Sequence, residues 1–221
     1  MDLFDIIGPV MIGPSSSHTA GAARIGLIAR LLLGQRPVQA RIGFHGSFAK
    51  TWHGHGTDRA IVGGLLGMAV DDPRLRDSLA LAQKQGLSLI FSTVHLRGAH
   101  PNTVQLTLEG EHGAHLEMEA ASVGGGNIDI TSLGGMNVDF SGKENTLIIR
   151  HRDTPGMIAL VTGALASRQM NIATMQVFRR DAGAEAIMVL ELDTPLTPEL
   201  LTELRQLHDV MDATFLARRD D

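Results

Sequence analysis

Two kinds of hydrophobic pattern run along the chain, and they change places near Phe140. Toward the C-terminus the pattern is regular. "NTLIIRH" (145–151) is an apolar run of strand length, and after "DTPG" the apolar positions Ile158, Val161, Leu165 and Met170 recur at near-helical spacing. Pro155 opens that helix and Asn171 breaks it. "IATMQVFRR" and "EAIMVLELD" flank the Gly-bearing turn "DAGA", which predicts a hairpin. Thr197 ahead of Pro198 predicts the start of a helix over "PELLTELRQL", and "VMDATFLAR" a last strand. The order β-α-β-β-α-β is that of a ferredoxin-like domain, with helices on one face of an antiparallel sheet.

The N-terminal pattern is looser. "TAGAARIGLIARLLLG" predicts a helix capped by Ser16 or Ser17 and ended by Gly34 and Pro37. "VQARIGFHG" predicts a strand, "DRAIVGGLLGM" a Gly-rich helix, and "DPRLRDSLALAQKQG" a helix capped by Asp71 or Asp72. The runs "LSLIFSTVHL", "TVQLTLEG", "AHLEMEAAS" and "NIDITS" alternate with period two, which predicts an antiparallel sheet with one buried face. The polar stretch "FSGKEN", Phe140 to Asn145, is the candidate link, giving domains over 1–140 and 146–218. The expected fold class is therefore α+β: an N-terminal α/β domain with a mainly antiparallel sheet, then a βαββαβ domain.

Composition narrows what such a chain can do. With 221 residues, 43% of them hydrophobic, both domains can hold real cores. A net charge of −5 and the lack of a basic stripe argue against nucleic acid as a partner. The longest apolar run, Ile25 to Leu33, is interrupted by Arg30 and falls short of the about 20 residues that cross a bilayer. The chain starts "MDLFD", acidic where a secretory signal is basic, so no membrane role and a cytoplasmic location are expected. There is no cysteine, so disulfides, thiolate nucleophiles and sulfur-ligated metal centres cannot be built from this chain alone.

The chemistry that remains uses oxygen and nitrogen, and it is concentrated. "GPSSSHTAG" offers Ser15, Ser16, Ser17, His18 and Thr19 at the start of a helix. A cap needs one hydroxyl, and this turn has four beside an imidazole. Together with the unpaired N–H groups and the dipole of a helix start, they form a cradle for a carboxylate or a phosphate. "FHGSFAKTWHGHGTD", Phe44 to Asp58, reads as a second polar loop with a turn around His55. His53 and His55 could share a metal if extended, but no third ligand stands at metal spacing, so no metal site is expected. "HPNT" (100–103) is a stiffened turn, and "SVGGGN" (122–127) permits a bulge or a close approach; it is neither a Walker nor a Rossmann loop. A Ser/His/Asp hydrolase is excluded because Ser17 and His18 are adjacent and no nucleophile elbow is present.

Taken in order, "GPSSSHTAGAARIG", "HGSFAKTWHGHGTDRAIVGGLLGM", "HPNT" and "SVGGGNIDI" resemble the β subunit of iron–sulfur-dependent L-serine dehydratase, and "HRDTPGMIALVTGALASRQMNIATMQVFRR" resembles an ACT domain. The resemblance covers Met1 to about Arg218. It implies a lyase that turns L-serine into pyruvate and ammonia with a [4Fe–4S] cluster as Lewis acid, the cluster's cysteines lying in a separate α subunit. It implies that Ser15, Ser16, Ser17 and Thr19 hold the substrate carboxylate, that His18 is the catalytic residue or a further carboxylate contact, and that Ser47, His55 and Thr57 line the cleft. For the ACT domain it implies side-by-side pairing of two copies and an effector site at His151, Asp153, Gly156 and Asn171. The serine-inhibited regulatory domain of phosphoglycerate dehydrogenase, to which this region is similar, has asparagine where this chain has Asp153. A carboxylate there repels an acidic ligand group unless it faces an ammonium or a cation. A second class of function shares this architecture: a non-catalytic module that senses an amino acid or carboxylate and regulates another enzyme.

Overall fold

The computed structural model describes residues 15–218, so the acidic start of the chain and the Gly13–Pro14 edge of the serine-rich turn lie outside the described residues. The chain forms two compact units that divide between Ser141 and Gly142, inside the Phe140–Asn145 link. No helix among the described residues is long and apolar enough to cross a membrane.

In the first unit a π-helical turn, Ser16–Gly21, runs without a break into helix α1 (Ala22–Leu33), since Gly21 and Ala22 both keep right-handed helical dihedrals. Strand β1 (Pro37–Phe44) follows, then α2 (Gly46–His55), α3 (Thr57–Leu65), a 3-10 turn (Pro73–Asp77) and α4 (Ser78–Lys84). Strands β2 (Ser88–Thr93), β3 (Thr103–Gly110), β4 (His115–Gly124), β5 (Asn127–Leu133) and β6 (Met136–Phe140) complete it. The sheet order is β2-β1-β3-β4-β5-β6. Alternate residues turn inward, among them Ala40, Ile42 and Phe44 of β1 and Val104, Leu106 and Leu108 of β3, all fully buried. Each such Leu or Ile contributes about 1.5–3 kcal/mol.

α1 packs on β3 and β4, and α3 packs on α1 backbone to backbone. A Cβ on Gly26 would stand 2.1 Å from the Ile61 carbonyl oxygen, and one on Gly64 would stand 2.1 Å from that of Ala23. These two glycines, which looked like poor helix formers in the sequence, are what allow the helices to touch.

Three expectations for this unit need correction. The Phe44–Asp58 segment is not a loop: it contains α2 and the start of α3, because Phe48 and Trp52 are an i, i+4 apolar pair that packs inward. Strand β2 is shorter than its alternating run and pairs parallel with β1, because three helices carry the chain back across the sheet before it re-enters. Strand β6 was not expected, although Met136, Val138 and Phe140 alternate and are buried after a Gly134–Gly135 hairpin turn.

The second unit comprises β7 (Asn145–Arg152), α5 (Met157–Ser167), β8 (Ile172–Arg179), β9 (Glu185–Leu192), α6 (Pro198–Arg205) and β10 (Val210–Leu216). Its sheet order is β10-β7-β9-β8, antiparallel throughout. Met157, Val161 and Leu165 of α5 and Leu200 and Leu204 of α6 close over Leu147, Ile149, Met188 and Leu190. Thr197 caps α6 through its hydroxyl.

The helix crossing gives a direct test. Gly64→Ala should destabilise the chain by about 1–3 kcal/mol or more in denaturant melts, because the methyl meets backbone that cannot step aside. Gly54→Ala, on the open side of α2 with nothing near its Cβ, should stabilise by about 0.5–1 kcal/mol.

Candidate functional site

The head of the first helix is built by one cap and one close approach. Ser15, in extended conformation, accepts the His18 N–H on its Oγ at 3.2 Å and the Thr19 N–H on its carbonyl at 2.9 Å. The cap is therefore Ser15, not Ser16 or Ser17. The helix starts at Ser16, ahead of the Thr19 start that the apolar pattern showed, because its first turn is polar. Ser16 and Ser17, half-buried, occupy the first two positions, where backbone N–H groups have no acceptor within the helix. A wide π-turn of this kind is uncommon and concentrates at functional sites.

From far along the chain, β4 holds this turn in place. A Cβ on Gly21 would lie 2.1 Å from the Ser122 Oγ, so only glycine lets the turn rest on the strand. Beyond Ser122 the three glycines 124, 125 and 126 all take positive φ, and the Gly126 carbonyl accepts a hydrogen bond from Arg24 of α1 at 2.8 Å. "SVGGGN" thus brings the end of β4 against the start of α1.

α2 supplies the opposite wall. Its own start is anchored by "HPNT": the Pro101 carbonyl accepts the Ser47 N–H at 2.7 Å and the Phe48 N–H at 3.4 Å, and Gly46, at φ 59°, passes where a Cβ would strike Pro101. So anchored, α2 sets Phe48 edge-on to the His18 ring at 5.1 Å between centroids, and His55 at 4.9 Å. Phe48 is fully buried, whereas His55 is exposed. Ser47 lies half-buried in the first turn of α2. Thr57 opens α3 and is fully buried. Beside it the buried Asp58 accepts the Arg59 N–H and faces the exposed His53 ring, Nδ1 to Oδ2 3.5 Å, across the corner between the two helices.

The electrostatics of this site favour a neutral imidazole. Burial pushes the His18 pKa below the ordinary histidine value, and a charge on His55 pushes it the same way. Nε2 of His18 is buried without a hydrogen-bond partner among the described residues, and Nδ1 lies 3.4 Å from the Ser15 Oγ. The Thr19, Thr57 and Ser122 hydroxyls are also buried without a partner among the described residues. The π-turn and the strand and helix that pack on it thus carry several unmet hydrogen-bonding groups, each costing about 1–3 kcal/mol. Phe48, Gly21 and Ser122 were not singled out in the sequence. The Phe48/Trp52 spacing could have revealed the first; the other two are visible only as a contact.

In the second unit the four residues of the expected effector site fall into two groups. His151 is buried, with Nδ1 donating to the Arg152 carbonyl at 2.7 Å and Nε2 without a partner among the described residues. Asp153 faces a cation: its Oδ2 accepts from Arg179 at 3.0 Å and from the Gly183 N–H at 3.2 Å. Those two contacts, the Gly183 amide first, hold its carboxyl below the usual range. Gly156, at φ 93°, starts α5. Asn171 stands at the other end of that helix, donating to Asp193 at 2.7 Å. Eleven residues of α5 separate the two ends, about 16 Å.

Residues 1–77 match the family model described as serine dehydratase beta chain, and residues 145–209 match that of the ACT domain. The chain is 44% identical to the probable L-serine dehydratase beta chain of Bacillus subtilis, with 97% of each chain covered. It is 37% identical to the L-serine dehydratase beta chain of Peptoniphilus asaccharolyticus, covering 89% of each. It also shares 27% identity with D-3-phosphoglycerate dehydrogenase of Bacillus subtilis, over 88% of this chain and 37% of the other. A two-unit chain with a histidine at a donor-rich helix start and a C-terminal ACT domain is the class these features define. The chain belongs to the L-serine dehydratase beta-chain family.

The cap assignment is testable by stability alone. Ser15→Ala should lower the unfolding free energy by about 0.5–2 kcal/mol. Ser16→Ala and Ser17→Ala should each stay within about 0.5 kcal/mol of the parent in the same melts.

Proposed function

We propose that this chain is the β subunit of an L-serine ammonia-lyase, gripping L-serine while a cysteine-bearing α subunit completes the active site. Serine loses its α-proton and its β-hydroxyl, together one water; the resulting enamine takes water back and yields pyruvate and ammonia. The observation that carries this assignment is the half-buried His18, favoured in its neutral form, at the head of a helix whose first residues are serines.

A [4Fe–4S] cluster is held by cysteine thiolates. This chain has no cysteine, and among the described residues no three His, Asp or Glu side chains gather as metal ligands. Its residues do not fit the cluster, which in this assignment belongs to the α subunit, where it would supply a Lewis acid. The β chain alone is then inactive.

What this chain's own residues do follows from their placement. The serine carboxylate sits at the start of the first helix, on the hydroxyls and free amides of Ser16 and Ser17, with the dipole favouring its charge. Ser15 holds the turn in shape. His18 fits the α-proton better than the carboxylate, because a neutral ring with an unpartnered Nε2 is a base and a poor partner for an anion. His55, one ring away and exposed, can pass that proton to water. The Thr19 and Thr57 hydroxyls stay in the wall, and Ser47 borders it from α2.

The second unit pairs two copies of the chain. α5 has no charged residue, and Ile158 and Leu160 on it are nearly half exposed. Beside it β8 is an edge strand with Met175 and Val177 exposed. An apolar helix face next to an open strand edge is covered by a second copy running antiparallel. Such pairing sets the start of one β8 beside the end of the other, so that Asn171 of one copy approaches the Arg179–Asp153 pair of its mate and the effector site is assembled from both.

Two experiments test these assignments. Co-expressed anaerobically with its cysteine-bearing partner, the chain should form pyruvate from L-serine, and His18→Ala should lower kcat/KM by about 100-fold or more. Full turnover by His18→Ala, or deamination by the iron-free chain alone, would refute the site. Light scattering should show the full chain as a dimer and a Met175→Lys, Val177→Lys double variant as a monomer; equal masses for the two would refute the interface.

A further inference from the structure

On the face of the first sheet turned away from α1 and α3 lies a groove of about 400 Å³, lined by none of the residues of the His18 site. Gln105 and Glu119 mark this face, since they alternate with the core residues Val104, Leu106, Met118 and Ala120. One wall is the 94–102 loop between β2 and β3, carrying Arg97 and His100; the floor is Glu119 of β4 with Thr131 of β5 and Asn137 of β6.

The polar groups in this groove are held in place but not used up. The loop is pinned by Thr103, whose hydroxyl donates to the His100 carbonyl at 2.7 Å. His100 Nδ1 accepts the Asn102 N–H at 3.1 Å, so its ring proton sits on Nε2 and is a free donor. Arg97 forms no hydrogen bond or ion pair with any described residue. Glu119 takes the Gln105 amide on Oε1 at 2.9 Å and leaves Oε2 uncommitted among the described residues. A free guanidinium and a free carboxylate oxygen therefore face one groove without pairing with each other.

That combination selects a ligand class. A simple anion would meet Glu119, and a simple cation would meet Arg97. A molecule bearing both signs close together satisfies each and neutralises both. We infer that this groove is a second small-molecule site, for a zwitterionic α-amino acid. Its carboxylate lies on Arg97 and the His100 Nε2–H, its ammonium on Glu119, and its side chain extends toward Thr131 and Asn137. The inference does not rest on serine turnover at His18.

The test is ligand-observed NMR on the full chain carrying Ser16→Ala, Ser17→Ala and His18→Ala, which strips the first site of its hydroxyls and its imidazole, with each proteinogenic L-amino acid as probe in turn. At least one should bind, and adding either Arg97→Ala or Glu119→Gln should weaken it about tenfold or more. Both changes spare the fold: Arg97 is exposed, and a glutamine at 119 still offers Gln105 an acceptor, so melts should match the parent. The α-hydroxy analogue, lacking the ammonium, should bind more weakly, and Glu119→Gln should not weaken it further. If no amino acid binds, if binding persists unchanged in both variants, or if only one of the two charges matters, the zwitterion site is overturned.

Discussion

The site depends on one contact that has no room for a methyl group: Gly21 resting on Ser122. It fixes where the π-turn sits on β4, and the turn fixes where His18 sits relative to Phe48 and His55. The same economy of space recurs below it, where Gly26 and Gly64 let α1 and α3 touch. Small residues, not large ones, decide the geometry of this unit. The helix start rests against the Ser122 side chain, whose Cβ would stand 2.8 Å from a Cβ on Gly21, while α1 and α3 meet through backbone that cannot yield.

Holding it there has a cost. Buried hydroxyls on Thr19, Thr57 and Ser122 and the Nε2 of His18 all lack partners among the described residues. Stability alone would replace such groups with apolar ones. They belong to the π-turn itself and to β4 and α3, which both pack on it. The ACT unit shows the opposite economy, with Asp153 already matched by Arg179 and Gly183 inside its own domain.

Much of this was legible in the sequence, and the parts that were not share a cause. The second unit could be read element by element because each of its strands and helices carries its own periodicity and cap, as at Thr197–Pro198. The serine-histidine turn was legible as a candidate site because so many donors stand together. α2 was hidden because its glycines and histidines mask the Phe48–Trp52 pair that makes it a helix. The parallel pairing of β2, the Gly21–Ser122 contact and the separation of Asn171 from Asp153 lie beyond any local pattern, since each is set by chain segments far apart in sequence.

Whether the pinned turn holds His18 neutral can be measured by following its ring carbon and nitrogen signals through pH in the full chain. The midpoint should fall below the ordinary histidine value of about 6.5 and rise back toward it in Gly21→Ala, where the turn is pushed off β4 and the ring gains water. A His18 that titrates at or above the ordinary value, and is indifferent to the substitution, would contradict the account.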